Sequence, residues 1–155
     1  MHATRKTNIY ALIGRILMSI IFIVSGCAKI MEWNGTLQMM AAKGIPAAPV
    51  VLAIATVIEL AGGIAILFGI YSRMSALIML LYLIPVTLTM HDFWAVIPAQ
   101  MNIQLVNFLK NLAIMGGLAM LAGYGPGRYS VGSEKYLYDA EYKAPARGEA
   151  PVGRA

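Results

Sequence analysis

The chain has 155 residues, of which 59% are hydrophobic and only 12% are charged, and its mean hydropathy is +0.71. A soluble domain carries about twice that charged fraction, so the composition argues against a soluble protein. The net charge of +5 comes without the aromatic-interleaved basic stripe of a nucleic-acid-binding protein. We therefore expect no nucleic acid partner and attribute the charge to membrane topology and to contact with anionic lipid headgroups.

Apolar segments that are long enough to cross about 30 Å of hydrocarbon as helices recur along the chain. The first follows Arg5 and Lys6, prolines precede the second, and glycines follow the fourth, as is typical of helix boundaries. Pro85 lies inside the third segment and should kink it. The predicted fold class is all-α, a transmembrane four-helix bundle, with spans at about 10–30, 49–70, 73–90 and 104–123.

The distribution of lysine and arginine predicts that both termini are cytoplasmic. By the positive-inside rule, the side of the membrane with more basic residues is the cytoplasm. The chain then divides into a cytoplasmic N-terminal tail (1–9), a transmembrane domain (10–130) and a largely disordered cytoplasmic tail (131–155). The basic residues of the cytoplasmic side are Arg5, Lys6, Arg73, Arg128 and Lys135, against Lys29 and Lys43 outside.

Ligands for a metal or a haem are scarce in this sequence. Cys27 is the single cysteine, and His2 and His91 are the only histidines. No disulfide can form within the chain, and neither a zinc site nor a haem held by this chain alone is expected. The run ending at Cys27 resembles a lipoprotein signal peptide, but Arg15 interrupts its apolar region, so we interpret the segment as an uncleaved span.

Ionisable groups inside a span cost roughly 2.5–3.5 kcal/mol each at the membrane centre, so they indicate candidate functional positions. Glu59 lies about 15 Å from the outer end of the second span and Lys110 about 9 Å from the outer end of the fourth. These depths allow the two side chains to pair in an outward-opening pocket, with Gly62 and Gly63 at its floor. The other candidate ligand-binding residues are Asn107, Asn111, His91, Lys29 and Arg15.

Two structural alternatives remain open for these residues. Glu59, Lys110 and the asparagines would also serve as interhelical hydrogen-bonding partners with no ligand, and Arg15 would also reach the cytoplasmic headgroups. Small residues four positions apart, such as Ala113 and Gly117, indicate close helix contact, within the chain or in a homo-oligomer.

The polar positions and the glycine-rich turns follow one another in an order that resembles the DoxX family of small four-helix bacterial membrane proteins. The resemblance covers about residues 10–135. Its matching pieces are Gly14-Arg15-Ile16-Leu17, Ser25-Gly26-Cys27-Ala28-Lys29, Ile58-Glu59-Leu60-Ala61-Gly62-Gly63, Phe68-Gly69-Ile70-Tyr71-Ser72-Arg73, His91, Lys110-Asn111-Leu112 and Gly125-Pro126-Gly127-Arg128-Tyr129-Ser130.

The resemblance implies a multi-pass protein of the bacterial inner membrane that is linked to redox or quinone chemistry. The preferred hypothesis is a component that binds a quinone between its helices and acts with redox partner proteins, because the chain shows no cofactor ligands of its own. Whether it is itself an enzyme stays open. The alternatives are a small proton-coupled transporter of lipophilic compounds and a structural membrane subunit without its own chemistry.

Overall fold

A computed structural model describes residues 5–131, and the side chains from Asn8 onward. Within these residues the chain is helical, with no β-strand, so the all-α prediction is confirmed. The elements in chain order are α1 (Arg5–Met31), α2 (Trp33–Ala42), α3 (Ala48–Phe68), α4 (Ser72–Met90), a short 3-10 helix (Phe93–Ala95) and α5 (Pro98–Tyr124).

Four of the described helices, α1, α3, α4 and α5, are long and apolar enough to cross a membrane. Each exposes large apolar side chains on its outer surface, for example Leu17, Val57, Leu81 and Val106. Apolar surface of this extent is unusual for a soluble monomer and suits a protein surrounded by lipid. The prediction of a transmembrane four-helix bundle is therefore confirmed.

The bundle is built from two helix pairs, α1 along α3 and α4 along α5, which are joined mainly by α3 against α4. Phe22, Met79 and Leu118 are among the buried apolar side chains at its centre. A Cβ at Gly62 would lie 2.9 Å from Met79 Cγ, and one at Gly63 would lie 3.0 Å from Ile23 Cγ1. These glycines allow the helices to approach closely and do not form the predicted floor of a pocket.

The two ends of the bundle are called here the α2 end, where α2 crosses between α1 and α3, and the terminus end. At the terminus end, arginines bond the carbonyl groups that helices leave free at their last turn. Arg15, 2% exposed, donates to Leu67 O at 3.3 Å and to Tyr129 O. Arg73 donates to Gly123 O at 2.8 Å. The cations also lie at the C-terminal, partly negative ends of α3 and α5, where the helix dipole favours them.

The helix bounds differ from the predicted ones in three places. α2 occupies the predicted outer loop; it follows a break at Glu32 and stops before Gly44, which has a φ of 68°. α5 begins at Pro98, well before residue 104, because proline is well suited to the first turn of a helix. α1 already includes residues 5–9. The predicted C-terminal tail lies outside the described residues, apart from Val131.

Candidate functional site

A buried ion pair joins α1 to α3. Lys29 Nζ lies 2.9 Å from Glu59 Oε1 and 2.8 Å from Oε2, and it also donates to Ser25 Oγ at 2.8 Å. Tyr82 of α4 donates its hydroxyl to Glu59 Oε1 at 2.8 Å. The Glu59 side chain is 5% exposed and that of Lys29 is 22% exposed. Side chains from three helices therefore meet at one carboxylate, which accepts hydrogen bonds from Lys29 and Tyr82.

The predicted partner of Glu59, Lys110, does not pair with it. Lys110 is exposed, and its Nζ donates to Asn107 Oδ1 at 3.0 Å on the same helix. Side chains on a helix lean toward its N-terminus. Because α1 runs toward the α2 end, Lys29 leans into the bundle and reaches Glu59. Because α5 runs away from the α2 end, Lys110 leans toward that end and away from Glu59.

Glu59 and Lys110 nevertheless line the same cavity, of about 330 Å³, at the α2 end of the bundle. It is called here the polar cavity. Lys29, His91 and Asn111, three more of the predicted site residues, also line it. Its remaining polar lining is Ser25, Glu32 and Thr36, the last of which belongs to α2. The structure thus brings five of the seven candidate residues to one space between α1, α3, α4 and α5.

The polar groups of the cavity are held in place by neighbouring side chains. His91 Nδ1 lies 2.9 Å from Gln104 Oε1, which fixes the ring between the end of α4 and the start of α5. Asn111, 7% exposed, donates from Nδ2 to Thr87 Oγ1 at 3.1 Å. A ligand in this cavity would meet the Lys110 amine, the His91 imidazole and the Asn111 amide, each of which is bonded to a neighbouring side chain.

Two candidate residues do not line the polar cavity. Arg15 lies at the terminus end, where it lines a separate cavity of about 390 Å³ between α1 and α5. Its guanidinium bonds backbone carbonyls there, so its position favours a structural role. Asn107 does not line the cavity, but its Oδ1 accepts a hydrogen bond from Lys110, which does.

Sequence reasoning missed Tyr82 and Ser25 as parts of the site. Ser25 precedes Lys29 by one helical turn, and this spacing was an available signal for a contact on one face of α1. Tyr82 gave no such signal, because a tyrosine inside an apolar span is equally typical of helix packing. A second ion pair, between Lys43 and Asp92, was missed as well; it ties the end of α2 to the segment after α4.

Comparison with known proteins gives consistent matches. A family model described as DoxX matches residues 10–92. The chain is 37% identical over 124 residues to inner membrane protein YqjF of Escherichia coli (strain K12), covering 80% of this chain and 90% of that protein. It is 34% identical over 120 residues to inner membrane protein YphA of the same organism, covering 77% and 86% respectively. No solved structure matches significantly.

Proposed function

This chain belongs to the DoxX family, and we propose that it is a redox-linked membrane component that binds a quinone ring, or a similar apolar-ringed molecule, in the polar cavity. The observation that carries the proposal is the buried Lys29–Glu59 pair beside a cavity whose rim holds His91 and Lys110. Ionised groups are retained inside a membrane protein mainly where they serve a site, since burying them is expensive.

The lining of the polar cavity suits the two ends of such a ring. A quinone needs hydrogen-bond donors at its oxygens and takes up protons when it is reduced. Lys110 and Asn111 of α5 supply N–H donors along one wall. Glu59, with His91 nearer the end of α4, supplies groups that exchange protons with the α2 end. Reduction of one ring to its quinol then consumes two electrons and two protons.

The chain would bind and orient the quinone and supply protons to it. The two electrons would come from a separate reductant protein. The protein therefore acts together with a redox partner. Its cavity lies at the α2 end, so the partner or its electron carrier must reach that end of the bundle.

We place the α2 end on the outer side of the bacterial inner membrane. The relatives named above are inner membrane proteins of Escherichia coli. The arginines at positions 73 and 128 lie at the terminus end, which the positive-inside rule assigns to the cytoplasm. In this orientation the polar cavity exchanges protons with the outer aqueous phase, and both termini are cytoplasmic.

The test is mass spectrometry of small molecules that co-purify with the protein in mild detergent, followed by titration with a soluble benzoquinone. Native protein should retain a quinone, and Glu59→Gln should lose it. Asp92→Asn is the matched control, because Asp92 is also a lysine-paired carboxylate but does not line the polar cavity. An empty native protein that also fails to bind added benzoquinone would refute the proposal.

Proton-coupled transport is a second candidate, and one observation favours it. Along the seam between α1 and α5, the polar cavity lies toward the α2 end and the Arg15-lined cavity toward the terminus end. Between them, the Met18 side chain packs closely against Gly117. Two cavities near opposite ends of the bundle, separated by a closed point, would suit alternating access, in which the two sides open in turn. Proton-gradient-dependent efflux from vesicles, absent in Glu59→Gln, would support this function instead.

A further inference from the structure

A third cavity, of about 460 Å³, lies between α2, α3 and α4. It is called here the apolar cavity, because its walls are mostly side chains such as Leu52, Ile58 and Met40. Lys29 and Tyr82, the two residues whose side chains bond Glu59 from α1 and α4, also line it. The apolar cavity and the polar cavity therefore lie on either side of the same buried cluster.

The two cavities are also adjacent, because they share lining residues. Lys29, Thr36, Val86 and Met90 line both of them. A molecule whose polar end contacts the Lys29–Glu59 pair would need to pass only the Val86 and Met90 side chains to reach the apolar cavity.

The apolar cavity opens sideways, toward lipid. Val51 and Ile54 of α3 line it, and they are 39% and 55% exposed on the outer surface of the bundle. On the opposite wall, Pro85 of α4 lines the cavity. Proline removes one backbone hydrogen bond from a helix, which makes α4 more easily deformed at this wall.

We propose that the apolar cavity between α3 and α4 is a binding site for the hydrocarbon tail of a membrane-soluble ligand whose polar ring occupies the polar cavity. This inference rests on the proposed function and adds the ligand's chemical class: an amphiphile with a long tail, which enters from the bilayer between α3 and α4. Three observations support it: the apolar cavity adjoins the polar cavity, two of its lining residues are exposed on the outer surface, and its apolar lining also includes Lys29 and Tyr82.

The other route for a tail, along the seam between α1 and α5, fits less well. The Arg15-lined cavity on that seam shares no lining residue with the polar cavity. A Cβ at Gly117 would lie 2.5 Å from Met18 Cε, so the space between these two cavities is already filled. The structure therefore favours the α3–α4 opening.

The first experiment compares two soluble probes, decylubiquinone and the same benzoquinone ring without its tail, for binding to protein in lipid nanodiscs. Ala55→Phe fills the apolar cavity, and Ala53→Phe on the exposed face of α3 is the matched control. Ala55→Phe should weaken decylubiquinone binding about tenfold, as expected for the loss of a few packed methylene contacts. Its binding of the tailless ring should match that of the native protein, which also shows that the variant is folded.

The second experiment needs no substitution. A benzoquinone that carries a diazirine at the end of its alkyl tail should label Ile54, Ile58 or Pro85 in the native protein, as read by mass spectrometry. Labelling of Gly14 or Leu121, on the α1–α5 seam, would overturn the inference. Equal labelling by the same diazirine chain without a ring would also overturn it, since the cavity would then take any hydrocarbon chain.

The outcomes separate the two proposals. If neither benzoquinone binds the native protein, both the proposed function and the tail site are refuted. If both bind and Ala55→Phe weakens them equally, or weakens neither, the proposed function stands and only the tail site is refuted.

Discussion

Replacing Lys29 by methionine should destabilise the protein more than replacing Glu59 by glutamine. In Lys29→Met a carboxylate that is 5% exposed keeps the Tyr82 hydroxyl and loses its cation, at a cost of about 3 kcal/mol. In Glu59→Gln the remaining lysine, 22% exposed and close to the end of α1, turns toward the membrane surface, at a cost of about 1–2 kcal/mol. The double variant holds no buried charge here and should lose only about 1–2 kcal/mol.

The measurement is unfolding in mixed micelles of increasing sodium dodecyl sulfate content, followed by tryptophan fluorescence, for the native protein and the three variants. We expect the double variant to lose less stability than the two single variants lose together, by about 2 kcal/mol or more. This difference is the coupling energy of the two side chains, and values of this size are typical of close, buried partners. The control cycle uses Lys43→Met and Asp92→Asn, whose pair is more exposed and should show much weaker coupling. Single losses that add within about 0.5 kcal/mol would refute the reasoning.

The other predictions concern the two ends of the bundle. Arg15→Lys should lower stability by about 2 kcal/mol, because an amine cannot reach all the carbonyls that the guanidinium bonds, while benzoquinone binding stays unchanged. Lys110→Met should change stability by less than about 0.5 kcal/mol and weaken benzoquinone binding roughly fivefold in titrations. In a Cys27→Ser background, Gly44→Cys should react with an impermeant maleimide in intact spheroplasts and Arg128→Cys should not; the reverse pattern would contradict the proposed orientation.

The spans could be predicted from the sequence because the thickness of the bilayer fixes the length of each apolar run. The run from Val50 to Phe68, for example, contains one charged residue, Glu59, and becomes α3. α2 could not be predicted in the same way. Its ten residues are too few to show a clear period, and the helix is stabilised in part by Met40, which is buried against the rest of the bundle.

The candidate site was predictable as a set of residues but not as a set of contacts. Depth along each helix predicted that Glu59, His91 and Lys110 share one region of the bundle, and all three line the polar cavity. Depth does not give the direction in which a side chain leans, and this direction depends on whether its helix runs toward or away from that end. For this reason the amine that reaches Glu59 is that of Lys29, while Lys110 turns back toward the surface.

The bonds of Arg15 have a consequence for the order in which the protein is made. This guanidinium belongs to the first span, yet it donates to the carbonyl of Tyr129, which the ribosome adds 114 residues later. While α1 enters the bilayer, neither that carbonyl nor the end of α3 has been synthesised, so the guanidinium needs another polar partner, such as lipid headgroups, until those residues are added. A chain that is truncated before Tyr129 would therefore lack this bond between α1 and the segment that follows α5.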